Sequence, residues 1–197
     1  MVGRATTAIQ GESFLEGKLL IALPGMGDER FEKSVIFMCA HSLETGAMGL
    51  CINRPIEGLT FRELASRLEL MTTPATPDFP ILLGGPMDTG RGFVLHSSDY
   101  ESDDSTLPIT ETISLTATLD ILRALAAGEG PHQALFALGY AGWREGQIED
   151  EIRANAWIHC DADDTLLFET PHEDIWSAAL GKLGIDMSGL SALNGRA

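Results

Sequence analysis

The stretch from Leu82 to His96, LLGGPMDTGRGFVLH, sets a glycine-dense, arginine-bearing segment between two apolar, strand-like runs. A second such segment, GYAGWREGQIEDE, runs from Gly139 to Glu151. Glycine is favoured where φ must be positive or where another group approaches the backbone closely, so both segments read as loops of fixed geometry. Their flanks, Ile81 to Leu83, Gly92 to His96 and Gln133 to Tyr140, read as strands.

Working outward, further strands are expected at Lys18 to Leu23, Ser34 to Ala40, Ala47 to Ile52, Ile113 to Leu115, Trp157 to Cys160 and Thr165 to Phe168. The second and third of these form a hairpin through HSLETG, a connection that ends on Gly46. Asp28, Glu29 and Glu32 begin a short helix, where carboxylates favour the positive helix end. After the Asn53-Arg54-Pro55 turn, Thr60 caps a helix through Leu68 with Glu63 at the capping-box position, and Phe61, Leu64, Ala65 and Leu68 share its apolar face. TATLDILRALAAG from Thr116 predicts a helix stopping at Gly128, Gln147 to Ala154 a short acidic helix, and Glu173 to Leu183 a closing one. Thr72 to Pro80, with three prolines, is a surface loop. Strands outnumber helices and do not alternate strictly with them, so the class is α+β rather than a doubly wound sheet.

The 197 residues, 44% of them hydrophobic, can bury one substantial core, and the length favours one domain, from 17 to 197, behind a flexible lead-in over 1–16. Thirteen Lys and Arg against 29 Asp and Glu give a formal charge of −16, which repels a phosphate backbone; no Lys/Arg cluster offsets it. Direct nucleic-acid binding is therefore disfavoured. Cys39, Cys51 and Cys160 are an odd number with no signal peptide ahead of them, which argues for a reducing, cytoplasmic setting and against a disulfide framework. The apolar run Leu19 to Leu23 is too short to span a membrane.

The chemistry-bearing residues admit several readings. Asp88-Thr89-Gly90 matches the tripeptide of aspartic proteases, but that chemistry needs two carboxylates sharing a proton, and a β-turn explains Asp and Gly here. Cys39 and His41, two apart on a strand, are expected on one face, a spacing that suits a soft metal or a thiol nucleophile with its base. Such a pair lies about 6–7 Å apart, too far for direct proton transfer, and no C-x-x-C or H-E-x-x-H supports a metal; none is expected, nor any cofactor. Arg54, beside Asn53, and Arg91, within GRG, suit a carboxylate or phosphate ligand, although ion pairs with this chain's own carboxylates are the more ordinary use. No P-loop or dinucleotide glycine motif occurs. Gln147, Glu151 and Ala154 share one helical face with Trp143 just ahead, read first as a solvated acidic helix, and Trp143, Trp157 and Trp176 as core or rim aromatics.

Four long pieces, GKLLIALPGMGDERFEKSVIFMCAH, GAMGLCINRP, LLGGPMDTGRGFVLH and LGYAGWREGQIEDEIRANAWI, stand in an order that resembles the YqgE/AlgH family of bacterial proteins, over Gly17 to Gly184. The resemblance implies a sheet curled toward a partial barrel with flanking helices. It also implies a link, in one branch, to regulation of alginate production, but it brings no agreed reaction. The motif positions carry over as a functional surface: Cys39, His41, Asn53, Arg54, Gly84, Gly85, Arg91, Gly92, Gly142, Trp143 and Gln147. Two functions follow. The first is a non-enzymatic regulatory protein whose loops Gly84 to Gly92 and Gly139 to Gln147 meet at one surface to hold a small molecule or a protein partner, any transcriptional effect being indirect. The second is a small enzyme or redox sensor using Cys39, His41 and Arg91.

Overall fold

The computed structural model describes residues 15–102 and 105–186. Ten strands form one sheet: β1 (Lys18–Ala22), β2 (Val35–Ser42), β3 (Gly46–Cys51), β4 (Pro55–Thr60), β5 (Pro80–Leu83), β6 (Met87–Ser97), β7 (Thr106–Pro108), β8 (Ile113–Thr116), β9 (Ala134–Trp143) and β10 (Trp157–Asp161). The main path runs β10-β1-β2-β3-β9-β6-β8-β7, with β5 joining β9 and β4 joining β5. Only the β5–β9 pair is parallel. The class is α+β, and the mostly antiparallel sheet curls into a half-barrel. Bulges at Met38/Ala40 in β2 and at Met87/Gly92 in β6 lie in long strands, where such insertions increase bend and twist.

Helices cover both faces: α1 (Phe61–Arg67), α2 (Leu119–Ala127), α3 (Gln147–Arg153) and α4 (Ile175–Lys182). One face buries Leu19, Phe37, Leu50, Phe93 and Leu95 against Ile175, Ala179 and Leu180 of α4. The other is divided. At one end α1 and α2 pack Phe61, Ala65, Ile121 and Leu125 on Ile81, Val94 and Phe136. At the other end α3 sets Ile148 beside Leu20, Ile36, Met38, Trp143 and Trp157. Alternation along β1 and β2 sends Leu19 and Phe37 to the first face and Leu20 and Ile36 to the second, as a two-residue period requires.

The expected hairpin is β2–β3, and α1 carries its capping box: Thr60 Oγ1 accepts from Glu63 N, and Glu63 Oε2 accepts from Thr60 N at 2.9 Å. On the face predicted for α1, Phe61 and Ala65 are buried, whereas Leu68 is 43% exposed. A 3-10 turn, Glu29–Phe31, stands where a short helix is predicted, with Asp28 as its cap. α2 starts at Leu119 behind Thr118 rather than at Thr116, which closes β8, and stops on left-handed Gly128 as predicted.

Three expectations are corrected. Thr165–Glu169 is a π-helical turn, not a strand: its consecutive Leu166 and Leu167 both join the α4-side core, whereas a strand would send them to opposite faces. Asp88-Thr89-Gly90 is not a tight turn between strands but the looped-out part of the β6 bulge, with Asp88 at φ 46. β4 begins at Pro55, inside the expected turn region, and β7 has no counterpart in the sequence reading, since PIEGLT and TLP are too polar or too short to show alternation. Of the lead-in, residues 1–14 lie outside the described residues, while Leu15 is fully buried in the α3-side core.

Candidate functional site

The two glycine-dense segments meet. Gly84 N donates to Leu138 O and Cys51 N to Gly84 O, each at 2.8 Å, and Met87 stands opposite Tyr140. Gly139, at φ 72, is where β9 ends its pairing with β5 and its register to β6 shifts, just before it pairs with β3; a Cβ there would meet Gly85 O at 2.6 Å and Met87 O at 2.8 Å, so only glycine fits. The capped turn Glu29–Phe31 then carries Phe31 over to Trp157, ring centroids 5.7 Å apart, and Trp157 stands edge-on to Trp143 at 6.0 Å. Met26, Phe31, Met87, Gly142, Trp143 and Trp157 line a cleft of about 270 Å³ between these segments.

One carboxylate organises that cleft. Glu151 of α3 accepts both indole N–H groups on Oε2, from Trp143 at 3.0 Å and Trp157 at 2.8 Å, while Oε1 accepts from Gln147 Nε2 at 2.8 Å. Gln147 in turn accepts from Arg144 N at 3.0 Å and fixes the turn leading into α3. The i, i+4 spacing of Gln147 and Glu151 places both on the face toward the sheet. At the mouth, Arg30 pairs with Asp28 at 2.7 Å and lies 5.7 Å from the Phe31 centroid; its hydrogen bonds hold the Asp28 carboxyl below the usual carboxylate range.

Across Phe31 a second hollow, of about 220 Å³, is lined by Arg30, Ser34, Cys51, Arg54 and Gly85. Burial raises the Cys51 thiol pKa. Arg54 donates to Glu32 O at 2.8 Å, and Asn53 clamps the chain by accepting from Val35 N at 2.9 Å and donating to Lys33 O at 2.8 Å. Arg91 lies over the Phe93 ring at 5.1 Å. Neither Arg54 nor Arg91 takes a carboxylate partner among the described residues, contrary to the ion-pair expectation.

Of the expected site residues, Gly142, Trp143 and Gln147 line the cleft, and Gly85 and Arg54 the hollow beside it. Gly84 supports the crossing, and Asn53 anchors the chain behind it. Gly92 packs on Phe136 toward α1 and α2, whereas Arg91 is exposed and lies over Phe93, a residue of the α4-side core. Cys39 and His41 do not share a face. The bulge between Met38 and Ala40 inserts a residue, so Cys39 joins the α4-side core and His41 turns to the other side, where its Nε2 meets Glu149 Oε1 of α3 at 2.7 Å. Burial pushes the Cys39 thiol up to about 12, the reverse of nucleophile activation. Among the described residues no group of three His, Cys, Asp or Glu is placed to hold a metal ion.

Sequence reasoning left out Glu151, Trp157, Phe31 and Met87 as site residues. The available signal was the Gln147/Glu151 face next to Trp143; read as solvated, it is in fact turned onto two indoles.

Residues 19–188 match the AlgH-like family model, DUF179. The chain belongs to the AlgH-like family. A UPF0301 protein of Rhodopseudomonas palustris (strain HaA2) is 52% identical over 202 residues, covering 99% of this chain and 92% of the relative. One from Caulobacter vibrioides is 52% identical over 185 residues, covering 93% and 94%. The solution structure of the AlgH protein from Pseudomonas aeruginosa superposes with a TM-score of 0.75 at 40% identity over 100% of this chain and 98% of that one. A Corynebacterium diphtheriae protein shares the AlgH-like fold at TM-score 0.69 and 19% identity, covering 91% and 92%.

Proposed function

We propose that this AlgH-like protein is a non-enzymatic regulatory protein that binds a small molecule in the cleft between the Gly84–Gly92 and Gly139–Gln147 segments. The observation that carries the reading is Glu151, held by two indoles and an amide at the wall of a cleft lined by side chains from three separate parts of the chain. Concavity, apolar walls and a few fixed polar groups are what ligand sites share. The ligand state is then read by another protein: a net charge of −16 is unsuited to contacting DNA directly. Three free, buried cysteines suit a reducing cytoplasm, and no described helix is long and apolar enough to cross a membrane.

Filling the cleft tests this. Gly142 is exposed, and a Cβ there meets only the flexible end of Met87 and the Tyr140 ring edge, the nearest atom at 2.8 Å, so Gly142→Leu displaces Met87, a side chain that lines the cleft, without disturbing the sheet. Native mass spectrometry of gently purified protein is expected to show a small-molecule mass excess on the wild type and none on Gly142→Leu. The same mass excess on both places the ligand elsewhere, and a bare mass on both counts against the reading.

A further inference from the structure

Resting on that ligand-binding reading, we infer that the cleft takes a small alkylated organic cation, a quaternary-ammonium type of molecule. Three observations converge. First, Glu151 has no counter-charge: among the described residues no Lys, Arg or His lies within ion-pair distance of it, and its three partners are neutral N–H donors. A half-buried carboxylate so placed favours a positive group brought alongside.

Second, those three donors occupy most of the roughly four lone-pair positions a carboxylate offers. The negative charge therefore remains while its hydrogen-bonding capacity is largely used. That combination favours a cation without N–H groups of its own over a primary ammonium, which would have to exchange strong hydration for acceptors already taken.

Third, the walls are Phe31, Trp143 and Trp157 with the thioethers of Met26 and Met87. Aromatic faces and apolar edges attract alkylated cations through the ring quadrupole and solvate their methyl groups, as in aromatic cages. The Arg30 guanidinium at 5.7 Å from the Phe31 centroid already places one cation at this rim. Arg30 itself is neutralised by Asp28 at 2.7 Å and does not turn the site toward anions. A volume of about 270 Å³ fits a small molecule rather than a peptide side chain with its backbone.

Choline and 3,3-dimethylbutan-1-ol have the same shape and differ only in charge at the branched centre. Titrated into the wild-type protein at ~0.15 M NaCl, where attraction to the general acidic surface is screened, they are read by tryptophan fluorescence. Choline is expected to bind about tenfold more tightly than the alcohol, the carboxylate and the aromatic walls acting together on the charge. Glu151→Gln, which keeps the side-chain shape, is expected to reduce that ratio to below about threefold. The wild-type comparison needs no variant, so a misfolded Glu151→Gln does not spare the inference. Equal binding of both probes, or binding of neither, overturns the cationic assignment. If the mass excess lost in Gly142→Leu persists in that case, the cleft remains the ligand site and only its class is wrong.

Discussion

The two ends of one sheet face are covered by helices and yet differ in kind. Under α1 and α2, Phe61 stacks on Phe79 at 5.1 Å, Thr76 is tied to the Ala126 carbonyl, and the hollow left beside them, of about 210 Å³, is lined by aliphatic side chains, threonines and Phe136 with no charged group. Under α3, a hollow of about 270 Å³ holds a carboxylate, two indoles and two thioethers. The sheet is the same; the covering helix differs. α3 starts from left-handed Gly146 without a side-chain cap and inserts only Ile148 fully, so Gln147 and Glu151 complete the contact with polar atoms. A polar helix laid on aromatic strand ends leaves a chemically marked opening, where two apolar helices leave core.

Breaking the closed end gives the largest effect. Phe61→Ala removes a fully buried ring and is expected to cost about 3–5 kcal/mol in urea unfolding, with choline binding unchanged wherever the protein is folded. At the open end, Trp143→Phe removes one charge-assisted hydrogen bond to Glu151; an expected loss of about 1.5–3 kcal/mol comes with loss of choline binding. Binding lost in Phe61→Ala and kept in Trp143→Phe reverses the assignment of the two ends. Thr60→Ala breaks the capping box of α1 and is expected to lower stability by about 1 kcal/mol by the same assay, again without touching the site.

The smallest effect concerns pH at the closed end. His96, with Nε2 2.9 Å from Thr116 Oγ1 and Nδ1 2.8 Å from Ser97 O, has a pKa lowered by burial. A histidine depressed on folding contributes stability that is present above its unfolded value of about 6.5 and is lost as pH falls through the folded value. Unfolding free energy is therefore expected to fall as pH drops below about 6.5, and His96→Gln to flatten that slope in part. His159 and His172, also lowered by burial, supply the remainder.

Most of the fold was legible because its signals are local. Apolar runs, buried on both faces of the sheet, mark β1 and β2, Thr60 with Glu63 marks the start of α1, and Gly128 marks the end of α2. What failed is non-local. The bulge at Met38/Ala40 depends on how β3 registers against β2, and it moved His41 away from Cys39; no spacing in the chain reveals an inserted residue. The TLLF run has strand composition, but it folds as a helical turn whose Leu166 N donates to Asp163 Oδ1 at 2.8 Å. The site was half legible. Glycine density located the crossing of the two segments, whereas Glu151 and Trp157, six apart in the chain, meet only because β10 returns beside α3.

The direct test follows the indole N–H signals. Three tryptophans give three side-chain cross-peaks in a nitrogen–proton correlation spectrum, and Trp176, whose Nε1 donates to Ala22 O at 2.8 Å away from the cleft, is an internal control. Added choline is expected to shift the Trp143 and Trp157 signals together with a single saturation curve and leave Trp176 in place. Shifts confined to Trp176, or no indole shift at saturating choline, would contradict the account.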